Sequence, residues 1–349
     1  MSPCQPTEWN PHRACITAWP EHEYAWGQPL KAAQNEFEFF VRALCSQGGE
    51  EVWLLCPPHS SGRTRLVDLS PQLTFVDIPY GDVWLRDIAP VFVGDGNQAV
   101  CFGFNGWGGK YVYPHDAEVA EALCKWLQLG CQNVPLTTEG GAWESDGEGT
   151  YLTTRSCLIN DNRNPGLSEA AAESVAAKYL GARKVIWLED GLSNDHTDGH
   201  VDNIARFVAP GQVVCMSPAS QDDPNREILL AIEDTLRSSS DANGRKLIVH
   251  TLPSPGAVMD DGGELLAASY LNFYIANRAV FMPSYGASRE EEAVGVLRSL
   301  FPERRVVPCP AAALLTGGGS LHCMTQQVPI GYGVALRPDL EAGGLDGRA

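Results

Sequence analysis

Apolar residues recur at helical spacing in five stretches of the chain, and each stretch is followed closely by a short strand-like run. Over 31–47, Phe37, Phe40, Val41 and Leu44 share one face of a helix that ends at Gly48-Gly49 and leads into 51–56, EVWLLC. Over 116–129, Val119, Leu123, Trp126 and Leu127 do the same ahead of Gly130 and a weaker run near Val134. A helix over 168–180, opened by a Ser168 cap and closed at Gly181, precedes 184–188, KVIWL. Helices over 224–237 and 288–301 precede strands over 246–251 and 305–308, and Ser288 with Glu291 forms a capping-box pattern. Further strand-like segments fill the gaps at 73–78, 150–154, 201–208 and 279–282.

The last four helices start about 52, 57 and 63 residues apart. A helix–strand unit recurring at this interval predicts five quasi-repeats in one closed α/β assembly. An open three-layer α/β sheet fits the same periodicity. No Pro- or Ser-rich linker divides the chain, so 1–335 reads as one domain and the Gly-rich, polar segment 336–349 as a flexible tail.

Composition narrows the classes. With 44% hydrophobic and 19% charged residues among 349, wholesale disorder is excluded. A formal charge of −18 repels a nucleic-acid backbone and attracts a cationic small molecule. No run reaches the ~18 apolar residues of a membrane span; the longest candidate, 265–283, is broken by Asn272, Asn277 and Arg278. The start, MSPCQPTEWNPHR, lacks the basic and apolar regions of a signal peptide. Eleven Cys without a CxxC pair read as reduced thiols of a cytoplasmic protein, mostly small core residues. The expectation is therefore a cytoplasmic protein with no membrane or nucleic-acid partner. Nine Trp permit a homo-oligomer without locating its interface.

The unusual polar residues cluster just after the strand of a repeat. They are DVWLRD at 82–87, EGG at 139–141, DGHVDN at 198–203 and TGGGSLHCMTQQ at 316–327. Equivalent ends of repeated units that converge on one axis would bring them into one pocket. Cys323 differs from an ordinary core thiol in following three glycines, which admit close backbone approach, and in preceding Thr325, Gln326 and Gln327. A nucleophilic Cys needs a proton-transfer partner, and His200 is the best candidate. In an extended segment His200 and Asp202 share a face, so Asp202 can orient the ring or bind substrate. His196 and His200 at i, i+4 would suit half a zinc site on a helix, but Gly199 and Thr197-Asp198 argue against a helix, so neither metal nor cofactor is expected. Carboxylates at Asp87, Glu139 and Asp202 around a Cys/His pair suit a planar guanidinium.

The set DVWLRDIAP, FNGWGGKY, EGGAWESDGEGTYLTT, NRNP, DGHVDNIARFVAPG, ASYLNFYIAN and TGGGSLHCMTQQVP, in order from about Trp9 to Pro329, resembles the agmatine deiminase and bacterial-type peptidylarginine deiminase family. The resemblance implies a pentein fold, a five-bladed α/β propeller of pseudo-repeats around an active-site channel. It implies Cys323 as nucleophile, His200 as general acid and base, and Asp87, Glu139 and Asp202 as the carboxylates that hold a guanidinium. Trp107 and Asn272 match positions near the substrate, and Asp82 falls in the same motif as Asp87. The implied reaction is hydrolytic deimination through an amidino-cysteine, most simply of agmatine to N-carbamoylputrescine and ammonia. The alternatives are free arginine or a C-terminal peptidyl-arginine, amidino transfer to an amine, and a catalytically dead cation-binding scaffold. Two positions depart from the agmatine pattern: Glu144 stands where a His is usual and Asp198 where an Asn is. Extra acid at both would suit a substrate's terminal amine. Lys110 or Arg13 would be the partner of a substrate carboxylate.

Overall fold

The computed structural model describes residues 4–94, 96 and 98–332. The proposed tail at 336–349 lies outside them. The chain builds one module five times: an antiparallel strand pair, a helical crossover, and a third strand parallel to the second. The first module takes β1 (His12–Ala18), helix α1 (Leu30–Ala43) and β2 (Glu51–Leu55), with β3 (Leu73–Val76) added at its edge. The second takes β4 (Val91–Val93), β5 (Gln98–Gly103), α2 (Val119–Leu127) and β6 (Gly130–Thr137). The third takes β7 (Glu144–Ser145), β8 (Thr150–Thr154), α3 (Glu169–Tyr179) and β9 (Lys184–Leu188).

The fourth module takes β10 (Ala205–Ala209), β11 (Gln212–Ser217), α4 (Arg226–Ser238) and β12 (Ile248–Pro253). A small hairpin, β13 (Val258–Met259) and β14 (Leu265–Leu266), follows it. The fifth takes β15 (Tyr274–Ile275), β16 (Ala279–Ser284), α5 (Glu290–Leu300) and β17 (Arg305–Pro310). The last strand, β18 (Gln326–Pro329), pairs antiparallel with β1, so the first module is completed by the two ends of the described chain. This is the five-unit α/β arrangement that the repeats predict.

The helices fall where the apolar spacing places them, because each buries the face that carries it: Phe37, Phe40 and Val41 in α1, Leu123 and Leu127 in α2, Leu229, Ile232 and Leu236 in α4. Ser168 caps α3, its hydroxyl accepting from the Ala171 N–H. Three expectations need correction. The capping box of α5 does not form: Glu290 begins the helix and accepts instead from the Ser284 hydroxyl and the Gly286 N–H. The segment over 201–203 is a helical turn and not a strand. The thiols are not all reduced, for Cys101 and Cys131 form a disulfide between β5 and β6, with nine cysteines free.

Candidate active site

Five connectors lead into the first strand of a module, and each carries part of one cluster. They supply Asp87 ahead of β4, Glu139 ahead of β7, His200 to Asn203 ahead of β10, Asn272 ahead of β15, and Cys323 ahead of β18. Pseudo-symmetry makes these positions equivalent, so all five converge. The Cys323 sulfur accepts from Asn272 Nδ2 at 3.1 Å and lies 3.7 Å from Asp202 Oδ2. Asn272 Oδ1 in turn accepts from the backbone N–H groups of His322 and Cys323, at 3.0 and 3.3 Å, which fixes the turn that carries the sulfur. Asp202 Oδ1 is buried and has no hydrogen-bond partner.

His200 sits between two acids, Nδ1 3.7 Å from Asp87 Oδ1 and Nε2 3.4 Å from Glu139 Oε2. Asp87 also accepts from the Gly141 N–H at 3.0 Å and from Trp107 Nε1 at 3.0 Å. Trp107 reaches it from a left-handed backbone conformation, φ 52°, between Gly106 and Gly108. Glu139 is clamped from behind by Arg163, whose Nε donates to Oε1 at 2.9 Å.

The charges follow from this packing. Burial opposes the charge on His200, but Asp87 and the hydrogen bonds of Cys157 and Glu139 outweigh it and hold the ring well above its ordinary range, as an imidazolium. Burial would raise Glu139, yet His200 and Arg163 keep it below the usual carboxylate value. Asp87 is pushed up to about 6, by burial first and despite His200. Cys323 is raised well above a free thiol by burial, then by Asp202 and Asp87. The cluster thus sets a neutral thiol against the carboxylates of Asp202 and Asp87.

Cys323 and Asp87 open onto a cavity of about 100 Å³ whose far wall includes Asp82, Tyr111, Tyr113 and His196. The three glycines ahead of Cys323 form one side: a Cβ would come within 2.7 Å of Trp26 at Gly317, 2.6 Å of His196 at Gly318 and 2.6 Å of Trp84 at Gly319. Asp82 accepts from the Val83 N–H and Trp84 Nε1 and is pushed up to about 7 by burial, with Asp116 adding to it. No Lys or Arg lines this cavity among the described residues.

Seven of the sequence-derived site residues therefore meet at the cluster, Cys323, His200, Asp202, Glu139, Asp87, Trp107 and Asn272, and Asp82 lies at the outer wall. Two do not. Glu144 turns inward to Arg206 Nε (3.0 Å) and the Phe207 N–H (2.8 Å), because Arg206 lies fully buried beside it and shares its charge between Glu144 and Glu8. Asp198 pairs with Lys110 and Arg163 and does not line the cavity. Nor do Lys110 and Arg13 line it. The turn at 201–203 also separates His200 from Asp202, so the ring's partners are Asp87 and Glu139 while Asp202 serves the sulfur side. Sequence reasoning missed Arg163, Arg206, Glu8 and His322 as members of the cluster. The first two lie in the quoted NRNP and DGHVDNIARF motifs, and their burial at 4% and 0% exposure was the absent signal.

The sequence profile of the Porphyromonas-type peptidyl-arginine deiminase family matches residues 4–329. The chain belongs to this family. It is 37% identical over 350 residues to the agmatine deiminase of Pseudomonas aeruginosa, covering 93% of this chain and 95% of that one. The solved agmatine deiminase of Enterococcus faecalis superposes with a TM-score of 0.86 at 32% identity, covering 94% of this chain and 96% of the other. An amidinotransferase from Microseira wollei, 12% identical with a TM-score of 0.57, shares the fold alone. Membership makes the chain a deiminase-type hydrolase acting on amidine C–N bonds, on a pentein α/β fold. Among the described residues no helix is long and apolar enough to cross a membrane.

Proposed function

We propose that this chain deiminates agmatine, through a covalent amidino-cysteine on Cys323, to N-carbamoylputrescine and ammonia. The observation that carries the reading is the placement of the Cys323 sulfur 3.7 Å from Asp202 and in the same cavity as Asp87, with a protonated His200 against Asp87. A guanidinium between the two carboxylates neutralises the charges that hold the thiol protonated, so substrate binding itself favours the thiolate. The thiol proton leaves to solvent as the cation enters, and the thiolate adds to the guanidinium carbon. His200 gives its proton to the departing nitrogen and ammonia leaves. His200, now a base, takes a proton from water as the oxygen adds to the same carbon, and collapse expels the Cys323 thiolate with the ureido product. Glu139 and Arg163 keep the ring oriented through both transfers.

The distal wall favours an amine over a carboxylate. Asp82 is a buried acid that lines the cavity, and among the described residues no Lys or Arg lines it to receive the carboxylate of arginine. Asp82 takes the role that Glu144 and Asp198 were expected to share. The test is turnover of agmatine, arginine and a C-terminal arginyl peptide, read as ureido product, with intact-mass detection of an adduct on Cys323. Turnover of arginine compounds alone refutes the agmatine assignment. Absence of any adduct under rapid quench, together with full activity of Cys323→Ala, refutes the covalent route. A guanidino product on adding an amine acceptor would make the chain a transferase.

A further inference from the structure

Behind the nucleophile lies a sealed ion network that the reaction steps above do not use. His322, the residue before Cys323, is 3% exposed. Its Nδ1 is 2.7 Å from Asp202 Oδ2 and its Nε2 is 2.7 Å from Glu8 Oε2. An ionised carboxylate only accepts hydrogen bonds, so two such contacts call for an N–H at both ring nitrogens. We propose that His322, braced by Glu8, is a positioning residue that holds Asp202 ionised and aimed, leaving its free Oδ1 for the substrate guanidinium.

The geometry supports each link. Glu8 is fixed from four sides: Arg206 Nη2 at 2.9 Å, Arg86 Nη2 at 3.5 Å, the Ile275 N–H at 2.7 Å and the His322 ring. Arg206 is itself held by Glu144 and by the backbone carbonyls of Leu271 and Phe273. The His322 and Cys323 backbone N–H groups are both pinned by Asn272, which anchors the ring and the sulfur on one turn. Burial alone would raise Asp202, and the bond and charge from His322, with His200 and Arg206 behind it, outweigh that and hold it below the usual carboxylate value. The charged groups facing Asp202 are His322 and Cys323 on one connector, His200 on its own, Asp87 from the connector ahead of β4, and Arg206 from β10; those facing His322 are Glu8, Asp202 and Glu144. Asp202 alone in this set touches both the sulfur and the relay. The N-terminal segment, through Glu8, thereby reaches Asp202 by direct hydrogen bonds through the His322 ring.

The kinetic arm of the test rests on the deiminase reading; the spectroscopic arm does not. ¹⁵N spectra of the full chain with labelled histidine, compared with His322→Gln to assign the ring, should show protons on both His322 nitrogens at pH 7 without substrate. One bare ring nitrogen overturns the inference whether or not the chain is a deiminase. In turnover, His322→Gln should lower kcat/KM for agmatine about 10- to 100-fold, chiefly through KM, as loss of a charge-assisted bond would. Its acidic limb in kcat/KM, set in the parent by Asp87 at about 6, should steepen and move up, because Asp202 loses the partner that opposes its burial and then protonates alongside Asp87. A purely structural histidine would change neither the limb nor the split, and an unchanged limb with unchanged KM overturns the proposal. If His322→Gln fails to fold, Glu8→Gln takes its place: the limb should move the same way by a smaller amount, and no movement is equally fatal. A wild-type chain that turns over no guanidino compound refutes the deiminase reading and leaves the spectrum to decide this one.

Discussion

Adding one methyl group to Gly141 should disable the site while leaving the fold in place. Gly141 follows Glu139 in the EGG motif, and its N–H donates to Asp87 Oδ1 at 3.0 Å. A Cβ there would lie 2.6 Å from His200 Nδ1, 2.9 Å from Asp87 Oδ1 and 3.0 Å from Asp202 Oδ2. Ordinary contact begins near 3.4 Å, so the imidazole would have to retreat by nearly 1 Å. It has little room, since Glu139 lies 3.4 Å from its other nitrogen and the ring is fully buried. A displacement of about 1 Å from productive geometry costs about 10²-fold in rate. The accompanying overpacking costs about 1–3 kcal/mol, which in a chain of this size lowers Tm by only about 1–4 °C. Steady-state kinetics and a thermal melt of Gly141→Ala check both numbers. Activity within threefold of the parent would refute the placement of His200, Asp87 and Asp202 around this backbone. A melt more than about 10 °C lower would refute the claim that the contact is confined to the site.

Other outcomes follow from the same charges. Cys323→Ala should abolish turnover while keeping the cavity, checked by product assay and by binding of agmatine in calorimetry. Asp82→Asn should raise KM for agmatine by about 10- to 100-fold and affect a simple alkylguanidine far less, since only the former carries a second ammonium. Because Asp87 titrates at about 6 and must be ionised to hold a guanidinium, kcat/KM should fall as pH drops through about 6, and Asp87→Asn should remove that limb along with most of the rate. The same raised value has a stability consequence of fixed sign. The folded state binds the Asp87 proton more tightly than the unfolded chain, so its contribution is favourable below about pH 4 and is lost as pH rises through about 6. Asp87→Asn should therefore raise Tm at pH 7.5 and show no gain at pH 4, and an equal gain at both values would refute the assignment. A cationic haloacetamidine should alkylate Cys323 more than about tenfold faster than the neutral haloacetamide, because only the cation relieves the carboxylates that hold the thiol protonated.

The five helices, the strands that follow them and the recurrence of the unit were legible in the chain itself. Burying one face of a helix imposes a local period, and a repeated module imposes it again. That Cys323, His200, Asp87, Glu139 and Asp202 form one cluster was legible as well, as polar residues placed where an apolar strand end or a glycine turn made them conspicuous. Tertiary structure decided which acid serves which partner. Glu144 read as a substrate ligand until Arg206, 62 residues away, was found buried against it. Asp202 read as either an orienter of His200 or a substrate ligand, and the turn at 201–203 directs it toward Cys323 and His322. Glu8 carried no signal at all, since its bond to His322 spans 314 residues and exists only because β18 pairs with β1. Local periodicity records the burial each element needs by itself. The pairing of buried charges records which distant elements the closed ring brings within 3 Å, and no segment of the chain holds that information alone.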